Sequence, residues 1–504
     1  MSQEFDADVI VVGGGPVGVG ALALLGRLGL TAIGFEKETE MWPTARAVHF
    51  DGEVMRVLQT LGIAEELAKV TKPMMTMHMQ NEDREQLVSV PTGQLGSQGW
   101  HNDVTFHQPD VERLLRGVVE ETADVELRCG VEVIHFQNLD EGVRVTVRET
   151  DGSQGVYTAR WLIGADGAKS FVRRSLEIGA DKYGEDARWV VVDGHLHDSP
   201  GYEDDMIFLL HHTRPAMWIR LPETRVRMEF MVMDDDHPDE IITPEAIERI
   251  SYGVLPASKF DPERQAIYMF RGRIAKSWRQ GNVFLAGDAA HLAPPCFGQG
   301  LCAGLRDIAN LAWKLDLVKR GQADASILDT YESERKPHAK FWVEQAVTAA
   351  GFLQTTDAEA ADRRDANIRA NPMAAAPVSP PLGAGLHRGA LDEQAGRLSV
   401  QPILTDDIRL DDTLDVRFVL AAQPEMYEQL DEALRARIED SRDIVVLLDP
   451  TKNAQVLEAS NALAAVVRPD RYIFGTASDK AQLQDLIEAL PLADIQQKSA
   501  SVFT

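Results

Sequence analysis

At 504 residues the chain exceeds one ordinary domain and has ample material for a large core. Its composition, 44% hydrophobic and 26% charged, is that of a soluble globular protein. A formal net charge of -28 excludes nucleic acid as a natural partner, because phosphate binding needs clustered Lys and Arg. The cysteines Cys129, Cys296 and Cys302 form neither a CxxC pair nor a metal-ligand spacing. A reducing cytoplasm is therefore expected, and no metal.

The acidic start, Met1 to Asp6, does not fit a signal peptide. Residues 8–12 read as a buried parallel strand, 17–28 as a helix with Ala21, Leu24, Leu25 and Leu28 on one face, and 31–36 as a second strand. The longest apolar stretch, 11–25, is broken by glycines and a proline and falls short of the roughly 20 residues of a membrane span, so no membrane partner is expected. A helix over 54–70, a Gly- and Gln-rich loop over 93–102 and a helix over 109–121 follow. Alternation over 131–136, 143–149 and 157–163 predicts an antiparallel set. The runs 189–196, 206–210, 216–221 and 226–233 predict a further sheet. Residues 283–286 return as a short buried strand, before a long helix over 301–319. The stretch 355–402, rich in Ala, Pro, Asp and Arg, reads as a linker or irregular crossing segment. Strands at 416–420, 444–448, 464–468 and 472–475, with helices at 425–438 and 481–490, predict a small α/β domain.

Two separated motifs carry the chemistry. Gly13, Gly15 and Gly18 complete GxGxxG between strand and helix. There the glycines allow a tight turn, close approach to a pyrophosphate and close helix–sheet packing, and the helix N-terminus favours an anion. Glu36 ends the second strand, where an acid accepts ribose hydroxyls. Pro16 and Val17 within the turn and Lys37 after the acid are counted with the cofactor-binding residues. That motif does not separate FAD from NAD; the downstream one does. Asp166 and Gly167 close one strand, and Gly287 and Asp288 close another at a helix start. Asp288 suits a ribityl hydroxyl, and the backbone from Gly298 through Gly300 to Leu301 suits a flavin ring. An extended cofactor needs contacts at both ends, which points to FAD.

The blocks GGGPVG, GADGAKSFVRR and GDAAHLAPP, in this order, resemble the three fingerprints of the group A flavoprotein aromatic hydroxylases, which have the para-hydroxybenzoate hydroxylase fold. The resemblance covers about residues 6 to 350. The run from Gly298 to Leu315 is most similar to 3-(3-hydroxyphenyl)propionate hydroxylases, and the tail resembles the thioredoxin-like domain of the phenol hydroxylase branch, without CxxC. The resemblance implies an α/β fold with a discontinuous Rossmann-like FAD domain (1–75, 104–185, 276–355). It also implies an antiparallel substrate domain (76–103, 186–275), a linker (356–402) and the C-terminal domain (403–504). It places Arg46 and Gln108 at the FAD, Asp166 in a motif tied to FAD and NAD(P)H, and Pro295 beside the reacting ring. The implied reaction is ortho hydroxylation of a phenol with O2, FAD and transient NADH or NADPH. A homodimer is common in such relatives.

The base that activates the phenol is not named by the sequence. His291 is the candidate near the flavin motif, with a packing role at least as strong a reading. A carboxylate-bearing substrate would need a cation, and Arg214, Arg220, Arg225 and Arg227 lie in the expected substrate sheet. His195 with His197 and the pair His211-His212 offer no evident third metal ligand, and Cys296 reads as packing. Halogenation, epoxidation or oxidation on the same fold stays open, as does a non-enzymatic dinucleotide sensor.

Overall fold

The computed structural model describes residues 5–197, 206–252, 255, 258–371, 378–389, 391–405 and 408–496. The start Met1–Glu4 and the run Ala374–Pro377, both part of the sequence reading, lie outside them.

Apolar β-branched runs build the first sheet. Ala7–Val12, buried throughout, pairs in parallel with Ala32–Glu36 on one side and Gln154–Gly164 on the other. Val125–Cys129 and Val283–Leu285 extend the parallel core at either end. The antiparallel set expected over 131–163 forms only in part. Glu132–Leu139 and Gly142–Arg148 are antiparallel, but Gln154–Gly164 plays two roles. Its first half closes the antiparallel set, and from Ala159 onward it joins the first strand in parallel. That second role is what carries Gly164-Ala165-Asp166 to the mouth of the Gly-rich turn, where Ala165 N–H donates to Val12 O (2.8 Å).

The second, eight-stranded sheet is antiparallel except where Met206–Leu209 runs beside Thr76–Gln80. Its spine is Phe260–Ala275 against Ala180–Leu196, followed by Arg225–Met231 and Ala216–Arg220. Side chains alternate across it. Val226, Met228 and Phe230 pack with Val190, Val192 and Trp218 into one apolar cluster, while Arg227 and Glu229 take the opposite face. The 16-residue strand Phe260–Ala275 was not expected from sequence.

The helix expected over 54–70 is two, Gly52–Thr60 and Ala64–Lys69, because Gly62 turns the chain at φ 78°. Likewise Pro424–Glu428 and Glu432–Asp440 replace one helix over 425–438. Part of the expected linker is also helical: Ala358–Ala370 packs its buried Arg364 against the substrate sheet, donating to Leu210 O (2.6 Å). The C-terminal unit is a four-stranded sheet in the order Ile444–Leu447, Phe418–Ala422, Ala464–Val467, Ile473–Ala477. Its first pair is parallel and the others antiparallel. Among the described residues, no helix is long and apolar enough to cross a membrane.

Candidate active site

At the Gly-rich turn, Gly13 has φ 109°, and a Cβ there would lie 2.5 Å from Ala165 O. A Cβ on Gly18 would lie 2.0 Å from Gly13 O, so helix Pro16–Arg27 can start this close to the strand only with glycine. Gly15, by contrast, faces open space. The helix start carries no side-chain cap and no acid in its first turn, with Pro16 at its head. Uncapped N–H groups beside open space suit a diphosphate. Glu36 accepts from Gly14 N–H (2.6 Å) and from Glu38 N–H (2.9 Å), which fixes its carboxylate at the end of the strand. Lys37 is exposed beside Glu38 (3.5 Å).

The distant blocks converge on this turn. Val17 sits against Gly287, and a Cβ on Gly304 of the long helix Gln299–Lys319 would meet both. Arg173 donates to Ala289 O (2.7 Å), tying the Asp166 block to the Asp288 block. Asp166 accepts from Val172 N–H (3.0 Å) through one oxygen, while the other, Oδ1, is buried without a donor. Asp288 is exposed by area, yet it is crowded closely enough that desolvation raises its carboxyl pKa, with His291 and Arg46 opposing. Gly298 takes the left-handed conformation (φ 62°) at the start of the long helix, again without side-chain cap or first-turn acid, and Gly300 faces open space. An open diphosphate cradle, an orphaned carboxylate oxygen and an uncapped second helix start fit FAD at both ends.

Arg46 and Gln108 form one unit. The Gln108 Oε1 accepts the backbone N–H groups of Arg46 and Ala47 (2.8 Å each), and its Nε2 donates to Glu112 (2.6 Å). Gln108 therefore holds the Arg46 turn, while the Arg46 guanidinium lies exposed over Trp42.

Pro295 and Cys296 leave the Asp288 block and meet the inner face of the antiparallel sheet at a small, largely closed cavity. Trp189, Phe208, Met217, Phe270 and Leu353 supply apolar walls, and Glu229 is the one ionisable carboxyl in the lining. Burial, then the nearby Glu229, push the Cys296 thiol up to about 12, so it is no nucleophile at neutral pH.

The remaining expected site residues lie elsewhere. His291 is buried and hydrogen-bonded to Asp307 (2.8 Å), which also receives Gly287 N–H (3.1 Å) and Arg335 (3.0 Å). It braces the turn and does not line the cavity. None of the four arginines lines it either. Arg214 is bidentate to Asp236, and Arg225 pairs with Glu223 (2.9 Å). Arg227 is bidentate to Asp193 and donates to the carbonyls of Ala45 (2.6 Å) and Arg46 (2.7 Å), so it clamps the Arg46 turn to the substrate sheet. Arg220 donates to Glu223 O (3.3 Å) and keeps Nη1 buried without an acceptor. His195 and His197 pair with Glu263 and Asp261. His211 and His212 do gain a third ligand-type neighbour, Glu82, from a distant hairpin that the sequence could not place.

Sequence reasoning missed Trp189 and Glu229. The same alternation that singled out Arg225 and Arg227 contained the signal, because Glu229 is the next residue on that face.

A glycine-turn cradle joined through the Asp288 block and Pro295 to a mainly apolar cavity is the arrangement of a flavin-dependent aromatic hydroxylase. The comparisons agree. Residues 6–346 match the family model described as "FAD binding domain", and the chain belongs to that family. It is 31% identical to a probable NADH-specific resorcinol 4-hydroxylase of Rhodococcus jostii, over 96% of this chain and 95% of that protein. It is also 31% identical to a 3-(3-hydroxy-phenyl)propionate/3-hydroxycinnamic acid hydroxylase of Comamonas testosteroni, over 72% of this chain and 62% of that longer protein. The fold is similar to that of the flavin-dependent monooxygenase PieE, solved with FAD and substrate, with a TM-score of 0.81 at 21% identity over 98% of this chain and 99% of that one.

Proposed function

We propose that the protein hydroxylates a single-ring, uncharged phenol next to an existing hydroxyl, using NADH. When bound, FAD takes electrons from the nicotinamide and activates dioxygen toward the ring. The chain's own residues do the rest. Helix starts and glycine turns hold the cofactor, the Arg227–Ala45/Arg46 clamp fixes the cleft wall, and the cavity walls exclude water and orient the ring.

The observation that carries this choice is the cavity lining: one buried carboxyl, one neutral amide at Gln354, mostly apolar walls and no cation. A carboxylate-bearing substrate would be repelled by Glu229 and would find no partner there. The resorcinol-hydroxylase relative, aligned over nearly its whole length, supports both the uncharged phenol and NADH. A carboxylate-bearing hydroxyphenylpropionate is the second reading, favoured by the unpaired Nη1 of Arg220 and by the Comamonas relative. The order and connections of the C-terminal sheet support a thioredoxin-like unit without redox cysteines. A homodimer rests on the resemblance alone.

The test is a substrate panel with purified, FAD-loaded enzyme. Resorcinol, phenol and 3-(3-hydroxyphenyl)propionate are offered with NADH or NADPH, and hydroxylated product is counted against nicotinamide oxidised. Coupled turnover with resorcinol and NADH is expected. Coupling only with the propionate supports the second reading, and no product from any phenol overturns both. Gly18→Ala tests the cradle separately: bound-flavin absorbance should be lost, because the new methyl meets Gly13 O.

A further inference from the structure

Two residues that line the cavity, Glu229 and Trp189, carry polar groups that make no hydrogen bond to the described residues. Glu229 is 4% exposed, and no hydrogen-bond donor reaches its carboxyl among the described residues. Its nearest cation, Arg227 Nη1, stands 3.9 Å away and is committed to the Arg46 carbonyl. The indole N–H of Trp189, 6% exposed, is likewise buried without an acceptor. The two residues stand on adjacent antiparallel strands in the registers Trp189↔Met231 and Val191↔Glu229. They are diagonal neighbours on one face, about 7–8 Å apart. The turn bearing Pro295 lines the same cavity. An acceptor and a donor without protein hydrogen bonds, in a lining that is apolar apart from them, Cys296 and Gln354, call for a ligand that supplies the opposite groups.

Resting on the phenol-hydroxylase function proposed above, we propose that Glu229 accepts the substrate's phenolic O–H and takes its proton as the ring reacts, while the Trp189 N–H donates to a second oxygen on the ring. The O–H bond breaks, its electron pair stays on the ring oxygen and enriches the ring, and the proton rests on the carboxyl until the hydroxylated product takes it back. His291, buried against Asp307, is not placed to do this.

Glu229 is suited to the task. Burial pushes its pKa up to about 7, with Asp193 adding to the rise and Arg227 and Arg264 opposing it. The other group facing it, the Cys296 thiol, stays protonated throughout this range. The accepting carboxylate therefore grows in as pH rises through about 7, while a phenol keeps its proton until nearer ~10.

Calorimetric titration of the FAD-loaded enzyme with resorcinol should show binding about tenfold tighter at pH 8 than at pH 6, as the carboxylate fraction rises tenfold. Glu229→Gln should flatten that step and slow hydroxylation about 100-fold or more. Glu229→Asp, which keeps a carboxyl on a shorter arm, should restore part of both. The wild-type step needs no variant, so a variant that fails to fold still leaves the proposal open to refutation. Resorcinol binding that is flat in pH, or absent, overturns it. So does a Glu229→Gln enzyme that hydroxylates as fast as the wild type. If the wild type shows the pH step but makes no product from any phenol, the hydroxylase function fails while the Glu229 contact stands.

Discussion

Two buried polar regions of this molecule are built in opposite ways. Where the C-terminal unit docks, Glu334 receives Arg468 through both oxygens (2.9 and 2.8 Å), Lys314 (2.8 Å) and Asn310 (2.9 Å), and Arg468 also binds Asp470. Tyr472 adds a hydrogen bond to Glu53 (2.6 Å), and Arg56 pairs with Asp411. In the apolar cavity, Glu229 and Trp189 are also buried, yet among the described residues Glu229 has only a long ion pair with Arg227 (3.9 Å) and the Trp189 N–H has no acceptor. The first region spends its polar groups on holding two parts of the chain together. The second, in the function proposed above, leaves them for the substrate. Satisfaction, not burial, separates a structural polar cluster from a functional one.

Deleting a carboxyl on each side should therefore shift stability in opposite directions. Glu334→Ala leaves Lys314 buried without its anion and Arg468 with Asp470 alone, and a loss of about 3–5 kcal/mol is expected in urea unfolding. Burial alone would raise the pKa of Glu334, but Arg468 and Lys314 hold it well below the usual carboxylate range. Its contribution is thus complete above the unfolded value of ~4.3 and is lost as pH falls through the lower native value. Unfolding midpoints that match the wild type would mean that this cluster does not hold the C-terminal unit.

Glu229→Gln should do the reverse and stabilise the substrate-free protein at pH 8 by about 2–3 kcal/mol. The native carboxyl, raised to about 7, binds more protons than the unfolded one between ~4.3 and 7. Wild-type stability consequently falls as pH climbs through that window, and the glutamine variant should lack the slope. Denaturation curves at pH 5 and pH 8 for both proteins measure it. An equal slope in both would show that Glu229 carries its charge without cost.

Much of this contrast was readable in the chain, but unevenly. The cofactor cradle was legible because its signals are local: Gly13, Gly15 and Gly18 between a strand and a helix, and Glu36 at the end of the next strand. The helix Ala358–Ala370 was hidden because its sequence is polar almost all round and only Ala361, Arg364 and Ile368 are buried. Phe260–Ala275 was hidden because exposed and half-buried residues dominate its pattern, and its ladder with Ala180–Leu196 is non-local. Arg220, Arg225 and Arg227 sat on the right sheet and Arg214 in the turn before it, but only the fold reveals that Asp193 and Asp236 lie close enough to occupy Arg227 and Arg214, whereas Glu223 meets Arg225 from two residues away. Pairing across distant strands decides which charge is free, and no spacing rule reports it.

The smallest expected effect is the sharpest test of the cavity's second polar group. Trp189→Phe keeps most of the apolar wall and removes only the ring that carries the unpaired N–H. The smaller ring loses buried packing against Phe270, and removing an unpaired buried N–H offsets part of that loss, so unfolding should shift by about 1 kcal/mol. Resorcinol binding should nevertheless weaken by about 0.5–1.5 kcal/mol, the worth of one neutral hydrogen bond, whereas phenol, which lacks the second oxygen, should bind as before. Paired titrations of the two ligands into both proteins separate this from a change of cavity shape. A shape change would weaken both ligands alike, and Trp189 would then belong with the walls, leaving Glu229 as the single group in the cavity that reads the substrate's oxygens.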